Sequence, residues 1–432
     1  MTPPLPTHIG KYRVIEELGR GATARVYRAR DEFGNRDVAI KMFDARVFAE
    51  GTPGHDELAR NGFLVEVALL GKLNHPHVVR VFDACTGPED YYIVSEFVPG
   101  GTLESYTAEG TLMDVEPAID IVYKLVKALQ YLHANGVIHR DIKPENIFIG
   151  DGTDVKLGDF GAATVAGLSV SQDAAIGSPL YMSPQRLEGA PADVASDIYS
   201  VGVLFYQLLT GQRPFVGSSL LSLLYQMTNV IPPAPTAIRA ELPAAVDAVA
   251  TRTLAAQPGD RFSGWDEFAD ALSALFRTGD GRIRRESLVT ASGRFEVLRQ
   301  IPFFAAFTGV ELWELVNISE FRQCVEGDVL MREGDSGTDF LVLIEGSARI
   351  IKNGKAIDLV QSPSTLGELA YILKGSVPRN ASAVAVDSGL TLRIANEDVE
   401  MLSAACRAKI EQRFLEILAH RLIDVNRRLS HV

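Results

Sequence analysis

Two short segments constrain this chain more than anything else in it. They are His139-Arg140-Asp141-Ile142-Lys143-Pro144-Glu145-Asn146 and, thirteen residues after its last member, Asp159-Phe160-Gly161. Moving a γ-phosphoryl group onto a hydroxyl needs a carboxylate to take the hydroxyl's proton, a second carboxylate and an amide oxygen to hold Mg²⁺, and a cation to offset the developing charge. Asp141, Asp159, Asn146 and Lys143 supply these in turn, and the two segments together read as a phosphoryl-transfer site.

Their spacing resembles the catalytic-loop and metal-loop signature of the eukaryotic-type serine/threonine protein kinases. That resemblance gives meaning to residues that are weak signals alone. Gly19-Arg20-Gly21-Ala22-Thr23-Ala24-Arg25-Val26 lies between two strand-like stretches, and Gly19 and Gly21 would let backbone approach triphosphate oxygens; Ala24 stands where a third glycine is usual. No G-x-x-x-x-G-K-[ST] sequence occurs, which removes the P-loop alternative. Lys41, ending Val38-Ala39-Ile40-Lys41, corresponds to the strand lysine that meets the α- and β-phosphates, and Glu66 to its helical partner. The resemblance also implies that backbone groups of Glu96 and Val98 receive adenine, with Val26, Ala39 and Phe148 around the ring, and that Ser95 replaces a bulkier residue behind it. Lys143 with Ser178 matches serine/threonine rather than tyrosine kinases, and Asp197 should accept N–H bonds from the catalytic loop.

One element departs from the pattern. Ser183-Pro184-Gln185 stands where Ala-Pro-Glu is usual, so an expected ion pair with Arg261 becomes at best a hydrogen bond to a neutral acceptor. Thr164, Ser169 and Ser171 follow the metal loop, and Arg140 suggests a cation for a phosphorylated residue there.

The 432 residues exceed one ordinary core and suggest two or three domains. With 42 basic and 55 acidic residues the formal charge is −13, which disfavours nucleic acid and anionic membrane surfaces as partners. Cys85, Cys324 and Cys406 form neither a disulfide framework nor a zinc motif. No 18-residue apolar run and no signal peptide is evident, so a cytoplasmic protein is expected.

Short alternating stretches over 11–98 read as a strand-rich lobe, and the recurrence of apolar residues at three and four over 99–276 as a helical lobe; together, 11–276 is the kinase-like domain. Residues 277–294 lose this periodicity and hold five arginines against two acids, a net +3, and read as a linker. Within it Arg284-Arg285-Glu286-Ser287 marks Ser287 as a regulatory phosphorylation candidate. From 295 to 432 a helical opening leads into short β-like stretches with glycine turns, then helical spacing to the end. The expected class is α+β: a two-lobed protein kinase fold followed by a small β-barrel with flanking helices.

The last segment resembles the cyclic-nucleotide-binding domain through Phe303-Phe304, Glu333-Gly334-Asp335, Glu345-Gly346, Gly367-Glu368-Leu369-Ala370 and Pro378-Arg379-Asn380-Ala381-Ser382. In that family a helix opening at Gly367-Glu368 would present N–H groups to the cyclic phosphate, Arg379 would neutralise it, and Glu368 would take the ribose hydroxyl. Gly367, Glu368, Leu369, Ala370, Arg379, Asn380 and Ser382 are therefore the candidates. Glu368 and Arg379 lie two residues further apart than is usual, and Asn380 replaces a small residue. A barrel that serves as a sensor without nucleotide is the competing reading. The apolar face from Phe414 to Leu429 either packs on its own barrel or supports a homodimer.

These observations imply a serine/threonine kinase acting on protein substrates with ATP and Mg²⁺, with cAMP or cGMP as a regulator through the second domain. The alternative is a catalytically dead scaffold. Lys41, Glu66, Asp141, Asn146 and Asp159 are all present, and a degenerate kinase would most readily have lost them.

Overall fold

The computed structural model describes residues 5–21, 24–44, 55–69, 71–86, 91–150, 152–165, 178–276, 288, 290–373 and 376–429. Ser169, Ser171, Ser287 and most of 277–294 lie outside these residues. The chain divides into two compact units, Met1–Arg277 and Thr278–Val432. The helix Ala291–Gln300 starts inside the stretch read as a linker.

Alternating side chains build the start of the first unit into a six-stranded antiparallel sheet. In spatial order its strands are His8–Ile9, Tyr12–Arg20, Ala24–Asp31, Arg36–Phe43, Tyr91–Glu96 and Val81–Thr86. Tyr27, Ala29, Val38, Ile40 and Val94 point to one face and form a buried cluster. The odd-numbered partners Ala39, Lys41 and Phe43 therefore point to the other, where Phe43 and Ile93 enclose Phe63 of the helix His55–Ala68. Glu66 stands three residues after Phe63 and shares its side of that helix.

Two long helices, Val115–Ala134 and Val194–Thr210, form the centre of the helical lobe. A capping box of Asp193 and Ser196 starts the second of them, and Gly211 at φ 73° ends it in the left-handed region. Against these helices lie a hairpin, Ile147–Ile149 with Val155–Leu157, and a two-residue pairing of Val137–Ile138 with Thr164–Val165. The two motif segments of the sequence emerge from these short strands.

The second unit opens with Ala291–Gln300 and Gly309–Ile318, the latter capped by Thr308 and Glu311. Two four-stranded sheets follow and form the barrel-like part. One orders Ser319–Cys324, Gly389–Ile394, Phe340–Glu345 and Ser364–Leu366; the other orders Val329–Met331, Ser382–Ala385, Ser347–Lys352 and Lys355–Gln361. The terminal helix Ala404–Leu429 packs on this barrel by Phe414, which is fully buried among Phe303, Phe340 and Tyr371. Leu415, Leu422 and Ile423 of the same helix are exposed.

Candidate active site and nucleotide pocket

Strand pairing places Lys41 opposite Val26 and Ile93, at the mouth of a cleft. Its Nζ donates to Glu66 Oε1 at 2.8 Å and to Asp159 Oδ1 at 2.7 Å. Burial works against the Lys41 charge, but the two carboxylates outweigh it and raise its pKa. The Lys41 cation holds Asp159 well below the usual carboxylate range, despite burial. Burial raises the pKa of Glu66, and Lys41 opposes that rise. Asp159 adopts φ 58°, a left-handed conformation uncommon outside glycine, and Gly161 N donates to its carboxylate at 3.4 Å.

Asp141 is held at both oxygens. Oδ2 accepts from Lys143 Nζ at 2.7 Å and Asn146 Nδ2 at 2.9 Å, and Oδ1 accepts from Ser178 N at 3.1 Å. Asn146 Nδ2 also donates to the Asp141 carbonyl at 2.7 Å, so the amide oxygen is the atom left to face a cation. Below this loop Asp197, 1% exposed, accepts from the backbone N–H groups of His139 and Arg140 at 3.1 and 3.2 Å. His139 is fully buried, and burial lowers its pKa. The neutral ring therefore donates from Nε2 to the Gly158 carbonyl at 3.1 Å, which ties the catalytic-loop segment to the strand leading into Asp159.

A cavity of about 310 Å³ opens beside these groups. Gly19, Val26, Ala39, Lys41, Glu96, Val98 and Phe148, all expected from sequence, line it, as do Glu66, Ser95 and Asp159. Gly21 does not; its N–H instead closes the loop on the Ala24 carbonyl at 2.8 Å. Leu18, Val79, Val81, Ile93, Phe97 and Phe160 also line it, and sequence reading missed Leu18, Val79 and Val81 because they are ordinary apolar residues until the sheet is assembled. Thr164 lies in the pairing with Ile138, two residues before Arg140. Among the described residues no group of three His, Cys, Asp or Glu side chains is arranged for a metal. Asp159 and Asn146 fit Mg²⁺ as that ion is usually held, by one or two protein ligands with nucleotide phosphates completing the shell.

In the second unit a cavity of about 500 Å³ is lined by Gly367, Glu368, Leu369, Ala370, Arg379, Asn380 and Ser382, the full set of sequence candidates. Its volume lies in the range of small-ligand sites. Gly367 has φ 85°, and a Cβ there would collide with Arg379 and Met331, so a side chain would fill the cradle beside the arginine. Arg379 donates to Asp339 Oδ1 at 2.6 Å, to the Asp339 carbonyl at 2.7 Å and to the Gly367 carbonyl at 3.2 Å. Arg393 Nε reaches the other oxygen of Asp339 at 2.8 Å. Two guanidinium groups thus share one carboxylate, and Arg393 also pairs with Glu320 at 3.5 Å. Glu368 is buried and pairs with Arg421 of the terminal helix, whose Nη2 donates to the Thr365 carbonyl at 3.1 Å. Asn380 Oδ1 accepts from Lys352 at 2.7 Å. Asp339, Arg421 and Lys352 carried no signal in sequence, because each reaches a cavity residue from a distant part of the chain.

Residues 12–273 match the family described as the protein kinase domain, and residues 321–406 that described as the cyclic nucleotide-binding domain. A probable serine/threonine-protein kinase PknB of Lactococcus lactis is 34% identical over 279 residues, covering 63% of this chain and 44% of the relative. The serine/threonine-protein kinase PknL of Mycobacterium bovis is 36% identical over 255 residues, covering 59% of this chain and 62% of the relative. PknB of Mycobacterium tuberculosis is 38% identical over 273 residues, with 60% and 42% covered. The chain thus spans about two fifths to three fifths of the length of these relatives.

Proposed function

This chain belongs to the protein kinase family, and we propose that it transfers the γ-phosphoryl group of ATP to serine or threonine hydroxyls of proteins, under control of a second unit that takes a cyclic nucleotide. The observation that carries the first part is Lys41 bridging Glu66 and Asp159, which joins sheet, helix and metal loop at one cation. In this reading the acceptor hydroxyl displaces Ser178 N–H from Asp141, whose carboxylate takes the proton as oxygen bonds to the γ-phosphorus. The bond from that phosphorus to the β–γ bridging oxygen breaks, and ADP leaves. Lys143, already 2.7 Å from Asp141, offsets the charge that builds there. Asp159 and Asn146 would hold Mg²⁺, whose chemistry there is to neutralise phosphate oxygens, and Lys41 would orient the α- and β-phosphates. The slot from Val26 to Phe148 would hold adenine, with Glu96 and Val98 offering backbone groups.

Arg379, backed by Arg393 and set against the Gly367 cradle, supports a cyclic phosphate in the second unit, with Glu368 for the ribose. Three free cysteines are in keeping with a cytoplasmic setting. Among the described residues no helix is long and apolar enough to cross a membrane. The test is phosphorylation of the chain and of a generic acceptor protein by ATP and Mg²⁺, with and without cAMP or cGMP. Asp141→Asn should lower the rate on the order of 10²–10⁴-fold, and an equal rate in that variant refutes the assignment. A rate indifferent to both nucleotides refutes the control.

A further inference from the structure

The strand Lys355–Gln361 forms one wall of the second unit's cavity and pairs with Ser347–Lys352. Its register sets Ile350 opposite Asp358 and Ala348 opposite Val360. Ala348 is fully buried, and Ile350 and Val360 pack against the same apolar cluster. By the two-residue period of a strand, Asp358 falls on the same side as Val360, toward the cavity, where its side chain stays exposed. It is a carboxylate on an otherwise apolar wall. A bulge follows at once: Ile350 faces Asp358 but Ile351 faces Ala356, so Ile357 is the extra residue. Bulges re-aim side chains, and here both Ile357 and Asp358 line the cavity.

Asp358 Oδ1 accepts the N–H of Leu359 at 2.9 Å. Among the described residues no cation pairs with its carboxylate. The other charged groups in the cavity wall are engaged, Glu368 with Arg421 and Arg379 with Asp339. Asp358 is thus an acceptor with spare capacity, set in the wall beside the apolar side chain of Ile357, which offers a flat base a surface to lie on.

We infer that Asp358 reads the base of the bound nucleotide and selects guanine, so that the ligand of the second unit is a guanine rather than an adenine cyclic nucleotide. This rests on the reading of that unit given under Proposed function. The reason is the pattern of donors. Guanine presents two adjacent donors, N1–H and the N2 amino group, which match the two oxygens of a carboxylate. Adenine presents the N6 amino donor beside the N1 acceptor, whose lone pair faces and is repelled by a carboxylate. An asparagine loses the match to the two adjacent donors, and its oxygen and NH₂ complement the adenine edge.

Calorimetry of the full chain with cGMP and with cAMP tests this. The wild type should bind cGMP about ten- to a hundredfold more tightly, the usual discrimination of a good two-point base contact. Asp358→Ala should bring the two affinities within about threefold of each other, and Asp358→Asn should bind cAMP at least as tightly as cGMP. Each variant is compared with itself, so partial loss of folded protein leaves the ratio intact. Equal affinities in the wild type, a preference for cAMP, or a ratio unmoved by either substitution overturns the inference while leaving nucleotide binding in place. No heat with either nucleotide removes the binding itself and this inference with it.

Discussion

Arg261, 2% exposed, donates from Nη2 to the side-chain oxygen of Gln185 at 2.8 Å, and the same amide donates from Nε2 to the Ala256 carbonyl at 2.8 Å. The glutamine that departs from the family's usual glutamate is therefore used at both ends. Arg261 completes its shell with the carbonyls of Ala195, Ala255 and Ala256, and burial lowers its pKa.

Truncating that amide should destabilise the first unit. Gln185→Ala leaves a buried guanidinium N–H short of a partner, which costs about 1–3 kcal/mol. In a unit of this size that lowers the melting temperature by roughly 2–10 °C. Differential scanning calorimetry checks it.

Glu66→Gln should keep the fold and impair turnover. Lys41 would then be held mainly by Asp159, the carboxylate needed for the metal, so cation and metal ligand would stay paired with each other. Losing a charge-assisted bond of about 1.5–3 kcal/mol implies a drop in kcat/KM for ATP of about ten- to a hundredfold. Steady-state kinetics on a peptide acceptor measures this.

Asp159→Asn removes the carboxylate that the Lys41 cation keeps ionised. The Mg²⁺ concentration for half-maximal rate should rise at least about tenfold, since one charged ligand is lost from the metal. A magnesium titration at saturating ATP decides it, and an unchanged curve would remove Asp159 from the metal site.

Three buried histidines should make the first unit acid-sensitive. Burial lowers the pKa of His75, His77 and His139, and pushes His75 down to about 2. Their neutral forms favour the folded state. Below the unfolded value of about 6.5 the unfolded chain binds more protons, so stability is full above that pH and is lost as pH falls. Each histidine contributes at most about 1.4 kcal/mol per pH unit. Urea midpoints measured between pH 7.5 and 5.5 should fall steadily, and more shallowly in His75→Phe.

The first unit's cleft was legible because its groups sit in contiguous motifs. Asp141, Lys143 and Asn146 lie in one turn, and Asp159 and Gly161 in another, so local spacing already specifies most of their mutual geometry. Lys41 and Glu66 needed only a strand and a helix of readable period. The second cavity was half legible. Gly367 to Ser382 runs along one wall, but Asp339 meets Arg379 across 40 residues and Arg393 across 54, through sheet neighbours that no local pattern declares. Asp358 was hidden for another reason: an exposed acid in a strand reads as ordinary surface, and only the assembled sheet places it beside the cavity. The apolar residues near the end of the chain show the limit of periodicity, which treats buried Phe414 and exposed Leu422 alike.

The likeness to the cyclic nucleotide-binding domain ends at Cys406, yet Arg421, fifteen residues later, is the cation that meets Glu368 in the cavity wall. A fragment cut where the recognisable domain stops would keep every strand of the barrel and strand a buried carboxylate without its counter-charge. Such a piece would report weakened or absent binding for reasons of its own making, so ligand screens on this unit should carry the chain at least through Leu429.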